Sequence, residues 1–231
     1  MTGAEPRPSP AAWDALFVYG AGGHAKVVAD AARCAGLPRL EGLVAEGTAL
    51  GPPPSDLPVL GDSGWLREHA RSRRCAVLLG IGQNAARERI WRECHEMDVR
   101  VVGVVHPSAV VSRSAHLGEG CVVLARAVIN AEARLETGAI VNTGAIVEHD
   151  VRVGAFAHLS PGALTGGGAR LGDRSQLGLG AVLLPRVSVG HDSVVGAQAL
   201  VTASLPDGVI AYGVPARIRR QSPPRRPEAE A

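Results

Sequence analysis

Aromatic side chains are scarce: Phe, Tyr and Trp supply only 7 of the 231 residues, or 3%. Any core must therefore be built from aliphatic side chains and alanine. Lysine is nearly absent, Lys26 being the only one. Charge of one sign is lacking as well, because 24 basic and 22 acidic residues leave a formal charge of +2. That balance supports neither nucleic-acid binding nor a polybasic membrane surface, so no nucleic-acid or membrane partner is expected. The four cysteines, Cys34, Cys75, Cys94 and Cys121, are far apart with no Cys-x-x-Cys spacing. They read as buried thiols of a reducing compartment, not as a disulfide framework or a zinc site. The first fifteen residues hold no signal-like apolar run, and no segment approaches 18 uninterrupted apolar residues. A cytoplasmic protein is the expectation.

What is abundant is glycine (29 residues), proline (16) and hydrophobic residues (46%). Their arrangement changes once along the chain. From Val111 to Val201 every sixth residue is Val, Leu or Ile, with Thr165 the one exception among sixteen positions. Four residues after each lies a small side chain, usually alanine, as at Ala115, Ala127, Ala133, Ala139 and Ala145. A period of six cannot occupy one face of a 3.6-residue helix. It suits short strands joined by tight turns, with one large and one small side chain of each hexad pointing inward, which is the signature of a parallel β-helix. Fifteen hexads at three per turn make roughly five coils, about 24 Å tall at a strand spacing of about 4.8 Å. Pro206-Asp207-Gly208 and the following GVPARIRR mark the expected end of the stack.

Residues 15–105 follow another grammar. LFVYG, RLEGLV, CAVLLGIG and RVVGVV read as four strands alternating with three alanine- or charge-rich helices, while GPPPSDLPVLG reads as a proline-rich connection. Such alternation predicts a small parallel α/β sheet with helices packed on its faces. The expected boundary is His106-Pro107, and residues 1–14 and 219–231 are expected to be disordered tails.

Three stretches carry candidate chemistry. Gly20-Ala21-Gly22-Gly23-His24-Ala25 joins a strand to a helix, where glycines let a backbone approach a phosphate and free amides face it. A plain tight turn would also use these glycines. Four strands favour a mononucleotide-sized ligand over a dinucleotide, and Glu41 or Glu46 stands at the distance of a ribose-binding acid. Val147-Glu148-His149-Asp150 places His149 outside both inward ladders. An outward histidine flanked by carboxylates is suited to act as a general base, although a bare surface histidine has the same pattern. His158 is likewise expected outside the core. The third stretch is Gly166-Gly167-Gly168, followed by Gly178 and Gly180 one coil on, which would let an extended ligand lie along the backbone. The histidines offer no three-ligand cluster, so no metal is expected.

The order YGAGGHAKVV, PVLGD, LLGIGQNAARERI, VVGVVHPSAVVSRSAHLGEG, NTGAIVEHDVRVGAFAHLSPGA and GVPAR resembles the acyl-CoA-dependent bacterial sugar acetyltransferases. These include the sialic acid O-acetyltransferase-like enzymes and the N-acetyltransferases of UDP-, GDP- or dTDP-4-amino sugars. The resemblance spans about residues 15–218. It implies a Rossmann-like N-terminal domain that holds the sugar nucleotide, then a left-handed β-helix over 106–218. It further implies a homotrimer with acetyl-CoA as co-substrate between neighbouring β-helices. His149 would be the general base, with Asp150 its helper. Gly22, Gly23, His24, Glu46 and Gly82 would meet the acceptor, and His158, Leu179 and Gly180 the acetyl-CoA. One departure is Ala45-Glu46, which stands where the family carries an Asp-Asp pair. The resulting expectation is N-acetylation of a nucleotide-linked amino sugar. O-acetylation of a sialic-acid-like sugar and a non-catalytic sugar-nucleotide-binding scaffold are the alternatives.

Overall fold

The computed structural model describes residues 13–47 and 56–221. Five parallel strands, β1 (Ala15–Tyr19), β2 (Leu40–Val44), β3 (Val59–Gly61), β4 (Cys75–Leu79) and β5 (Arg100–Val101), form a sheet in the order β3-β2-β1-β4-β5. Every residue of β1 and β4 is buried, as continuous apolar strands require when helices cover both faces. The helices are α1 (Gly23–Cys34), α2 (Ser63–Ala70) and α3 (Asn84–Glu96). Asp62 and Gln83 cap α2 and α3 through their side chains, whereas Gly22 gives α1 no side-chain cap. Gly36, at φ +68°, ends α1 in the left-handed region that glycine adopts freely.

Five expectations shift. The proline-rich connection contains β3, making five strands where the pattern shows four. RVVGVV is not one strand: it breaks at Gly103, where a Cβ would lie 2.7 Å from the Cys121 carbonyl oxygen. β6 (Val104–Val105) already pairs with β9 (Val122–Val123) of the second part, so the boundary precedes His106. Residues 1–12 and 222–231 of the expected tails lie outside the described residues. Trp13 is buried, and Arg219–Gln221 are in a strand. Of the cysteines, Cys34 is exposed rather than buried.

The second part consists of two-residue strands from β6 to β22 (Leu200–Val201). Neighbouring coils pair at a constant offset of 18 residues, as in Val128 with Ile146 and Ile140 with His158. In each hexad the second strand residue points inward. Most turns end in a left-handed residue, such as Asp150 (φ 61°) or Phe156 (φ 55°). The aliphatic and small rows merge into one buried column from Ala115 to Ala216. At the top the offset falls to 16, Val194 pairing with Ile210. Side-chain oxygens there take the place of carbonyls: Ser204 Oγ accepts from Ser188 N (3.1 Å) and Asp207 Oδ1 from His191 N (2.8 Å). The chain continues past Gly208 into β23 (Val209–Tyr212) and antiparallel β24 (Arg217–Gln221), which cover the last coil.

The outward residues distinguish three faces. On one, Val104, Val122 and Ile140 lie in register and share a buried cluster with Val28, Ala29 and Ala32 of α1. On the second, Val110, Val128, Ile146, Leu164, Val182 and Leu200 form a column that is aliphatic and not buried. The third carries His116, Arg134, Arg152, Arg170 and Ser188.

Arg87 of α3 locks the two parts together. It is wholly buried, and among the described residues its hydrogen bonds go to backbone carbonyls and the Asn84 side chain, not to a carboxylate. Nε donates to Gly138 O (2.8 Å) and Nη2 to Phe156 O (2.6 Å) on the coils. Nη1 donates to Ile81 O (3.0 Å) and Gly82 O (3.1 Å) on the sheet side. Burial lowers its pKa to about 9, so it remains charged at neutral pH. A buried charge is tolerated only with its donors satisfied, and here backbone carbonyls do that. Arg87→Ala should therefore cost at least about 1–3 kcal/mol, the penalty for leaving a buried acceptor unpaired. Arg87→Lys should recover only part of this, because a point charge cannot serve the forked geometry. Urea unfolding midpoints test this, and a parental midpoint for Arg87→Ala would show that the domains dock without it.

Candidate active site

In the sheet order β3-β2-β1-β4-β5 the chain reverses direction between β1 and β4. Open parallel sheets bind ligands outside the strand ends at such a reversal. Two glycine segments meet there. Gly20 has φ +125°, and a Cβ on it would lie 2.7 Å from Gly80 O; a Cβ on Gly80 would lie 2.6 Å from Val18 Cγ1. These glycines are needed for close packing. Gly22 and Gly23 differ, because added Cβ atoms would meet nothing within 4 Å. The start of α1 is therefore open, with amides that no side chain caps.

The expected acceptor residues gather at this point, with one qualification. Gly82 lies beside His24, its built Cβ 3.9 Å from the His24 Cβ. Glu46 stands at the same strand ends but is partly committed to the fold. Its Oε1 accepts from Tyr19 Oη (2.6 Å) and Ser63 N (2.9 Å). Burial raises its pKa, but the bonds from Tyr19 and Ser63 outweigh this and the net shift is downward. The same contact raises the Tyr19 pKa, after burial as the larger cause.

His158 departs from its expected place. It does project from the coils, but it is only 8% exposed because the first domain covers it. Its ring centroid lies 6.1 Å from that of His24. Thr143 N donates to Asn142 Oδ1 (2.8 Å), which turns Asn142 Nδ2 toward His158 Nε2 (3.0 Å). Nε2 must then accept, placing the ring proton on Nδ1; the backbone of Gly82 is a further hydrogen-bond partner of the ring. Burial, then the Arg87 charge and His24, hold the His158 pKa down at about 3. Burial, then Arg87, lower His24 to about 4. His24 Nε2 is buried with no hydrogen-bond partner. Two neutral imidazoles thus stand side by side under a fixed cation. Arg87 had no signal in the sequence beyond a charged residue inside a helical stretch.

His149 is elsewhere. It lies in the turn between β13 (Ile146–Val147) and β14 (Arg152–Val153), a corner that does not touch the face carrying α1. Its side chain is 62% exposed, and Nδ1 is 2.7 Å from Asp150 Oδ2. The carboxylate makes Nδ1 the donor, leaving Nε2 as the acceptor nitrogen of the ring. Leu179 and Gly180 occupy the remaining corner, with Leu179 56% exposed. The glycine triplet does not form an open groove throughout: Gly166 packs on Pro185 and Gly167 lies under the His149 ring. One chain therefore unites the acceptor crevice with His158, but not with His149. Among the described residues no group of His, Cys, Asp and Glu gathers as a metal ion would need. No helix among them is long and apolar enough to cross a membrane.

Hexad coils with a histidine–aspartate pair at one corner, topped by a small nucleotide-type sheet, define the left-handed β-helix acyltransferases. The model of the PglD N-terminal domain family matches residues 15–94. PerB of Caulobacter crescentus, solved with CoA and GDP-perosamine, is 39% identical, with a TM-score of 0.85 over 90% of this chain and 98% of its own. The acetyltransferase domain of PglB from Neisseria gonorrhoeae FA1090 is 35% identical, with a TM-score of 0.81 over 88% of this chain and 98% of its own. A galactoside O-acetyltransferase of Lactococcus lactis is 47% identical over only 39 residues; the match spans 17% of this chain and 19% of that protein. The chain belongs to the family of hexapeptide-repeat sugar acetyltransferases.

The paired histidines predict a pH dependence of stability. Their folded pKa values lie below that of a free histidine, so the unfolded chain takes up protons that the folded chain refuses. Their contribution is complete above about pH 6.5 and is lost as pH falls toward about 4 for His24 and about 3 for His158. The melting temperature should already decline between about pH 7 and about pH 5, above the range where carboxylates titrate. His158→Gln should flatten part of that slope, and a flat parental profile would contradict the neutral pair.

Proposed function

We propose that the protein transfers the acetyl group of acetyl-CoA to the amine of a nucleotide-linked 4-amino sugar, working as a homotrimer. The observation that carries this reading is the division of the site. The nucleotide crevice and His158 share one face of the prism, while His149 stands on the opposite corner. A second copy would bring that corner to the crevice. The unburied column Val110, Val128, Ile146, Leu164, Val182 and Leu200 supplies a surface for it, since a sheet apolar on both sides is normally covered on both.

In this arrangement the diphosphate lies at the open start of α1, over Gly22 and Gly23, with His24 and Gly82 along the sugar and Glu46 at the nucleoside. Acetyl-CoA runs between β-helices past Leu179 and Gly180 toward His158. The sugar amine attacks the thioester carbonyl, a C–N bond forms, and the carbonyl becomes an oxyanion held by backbone amides of the glycine-rich coils. His149 Nε2 takes the proton that the nitrogen sheds. Collapse of the intermediate breaks the C–S bond, and the protonated ring returns the proton to the departing CoA thiolate. Asp150 fixes the tautomer and steadies the imidazolium. Much of the rate comes from holding donor and acceptor side by side. Both substrates are cytoplasmic metabolites, which supports a cytoplasmic site of action. O-acetylation is the second reading, supported by the short galactoside acetyltransferase match.

Three measurements test the proposal. Sedimentation should give three chains per particle, and an active monomer would contradict the divided site. With acetyl-CoA and a panel of UDP-, dTDP- and GDP-4-amino sugars, His149→Ala should lower kcat by roughly 10²–10⁴ fold at unchanged melting temperature, since the side chain is exposed. A variant retaining parental kcat would make the histidine a bystander. A Cβ at Gly22 meets no atom within 4 Å, so Gly22→Val adds bulk at the open start of α1. It should raise KM for the sugar nucleotide while leaving KM for acetyl-CoA nearly unchanged, whereas equal effects on both would argue against a separate acceptor crevice.

A further inference from the structure

The aliphatic ladder of the β-helix is broken once, at Thr165, and the break lies one coil beyond the histidine turn. Val147 and Thr165 are register partners, so Thr165 sits beside the residue two positions before His149. It is wholly buried, in a column where valine or leucine would pack better. Its hydroxyl is used: Oγ1 donates to Ile146 O (3.3 Å) and accepts from Glu148 N (3.4 Å). In the same row on neighbouring coils the corresponding amides donate to carbonyls, Asn130 N to Val147 O (2.9 Å) and Gly166 N to Leu183 O (2.7 Å). At Glu148 a hydroxyl serves instead. The backbone entering the His149 turn is therefore tied by a side chain of the next coil.

The same coil supplies the floor under the ring. Gly167 is 18 residues beyond His149, and a Cβ on it would lie 2.5 Å from His149 Nε2 and 2.6 Å from Cε1. Gly167 is not in the left-handed region, so its glycine is not required by the backbone. It is required by the space that the imidazole occupies. Gly168 N donates to His149 O (2.9 Å), closing the contact between the two turns. We propose that Thr165 and Gly167 are positioning residues for His149: the hydroxyl sets the turn, and the bare Cα leaves room for the ring over the next coil. This rests on the reading of His149 as the general base.

The inference predicts that stability and turnover move in opposite directions. Thr165→Val restores the aliphatic ladder and removes the tie. Its melting temperature should equal or exceed the parent's, while kcat falls about tenfold and both KM values stay within about twofold. Thr165→Ser keeps the hydroxyl but loses a buried methyl, so it should melt lower and retain parental kcat. A purely structural role would make both quantities fall together. Gly167→Ala should melt like the parent and lose at least as much kcat as Thr165→Val, because its methyl displaces the ring. The assay uses acetyl-CoA with GDP-perosamine and the other 4-amino sugars of the panel, with His149→Ala in parallel. If His149→Ala is inactive while Thr165→Val and Gly167→Ala have parental kcat, the base reading stands and the positioning role is overturned. If His149→Ala keeps parental kcat, the base reading fails and the positioning role fails with it. Imidazole ¹⁵N spectra of His149 provide a readout that needs no substrate. Both Thr165→Val and Gly167→Ala should shift the signals or their titration, and unchanged spectra in both would also overturn the proposal.

Discussion

The arrangement of this protein depends on one guanidinium that has no carboxylate partner among the described residues. Arg87 reaches from α3 to carbonyls at Ile81 and Gly82 on the sheet side and to Gly138 and Phe156 on the coils. A carboxylate would have accepted two bonds in one place. Scattered carbonyls hold the same cation only while the two domains keep one relative position. The buried charge thus specifies the docking geometry, and its large desolvation cost makes alternative positions unfavourable. Supporting contacts surround it: Asn84 Nδ2 donates to Arg174 O (2.8 Å), and Arg174 forms a paired contact with Asp192 at 2.7 Å.

The chemistry of the crevice follows from that docking. Burial alone would disfavour charge on His24 and His158, and the nearby Arg87 adds to the effect. Imidazoles that stay neutral can accept hydrogen bonds from a substrate or stack against it without repelling an amine. His149 is in the opposite situation: exposed, with Nδ1 2.7 Å from Asp150 Oδ2. Burial alone thereby gives histidines of one residue type two different surroundings.

Much of the fold was legible in the chain. The six-residue period from Val111 to Val201 required the coils, and the Gly20–Ala25 segment marked a tight glycine turn between a strand and a helix. Even the outward surfaces were written in the residue preceding each ladder position. That residue runs Val, Val, Ile, Leu, Val, Leu on one face and His, Arg, Arg, Arg, Ser on another, a pattern that appears only when the sequence is read every eighteenth residue. Reading every sixth residue found the core and missed the faces. β3 escaped because its three residues follow a proline-rich run. Gly103 was taken as the interior of a strand because nothing local reveals that the Cys121 carbonyl presses on it.

By itself the sequence determined the coil, the small α/β sheet and the place of the corner histidine, because each depends on a repeat or on neighbours within a few residues. Tertiary structure decided which histidines are buried. His158 and His149 both point away from the ladder, and only the position of α1 over the row Val104, Val122 and Ile140 covers the first and leaves the second exposed. It also decided that Arg87 is a clamp and that Glu46 is partly held by Tyr19 and Ser63. Those assignments depend on contacts between segments tens of residues apart, whose energies come from desolvation and not from any local pattern.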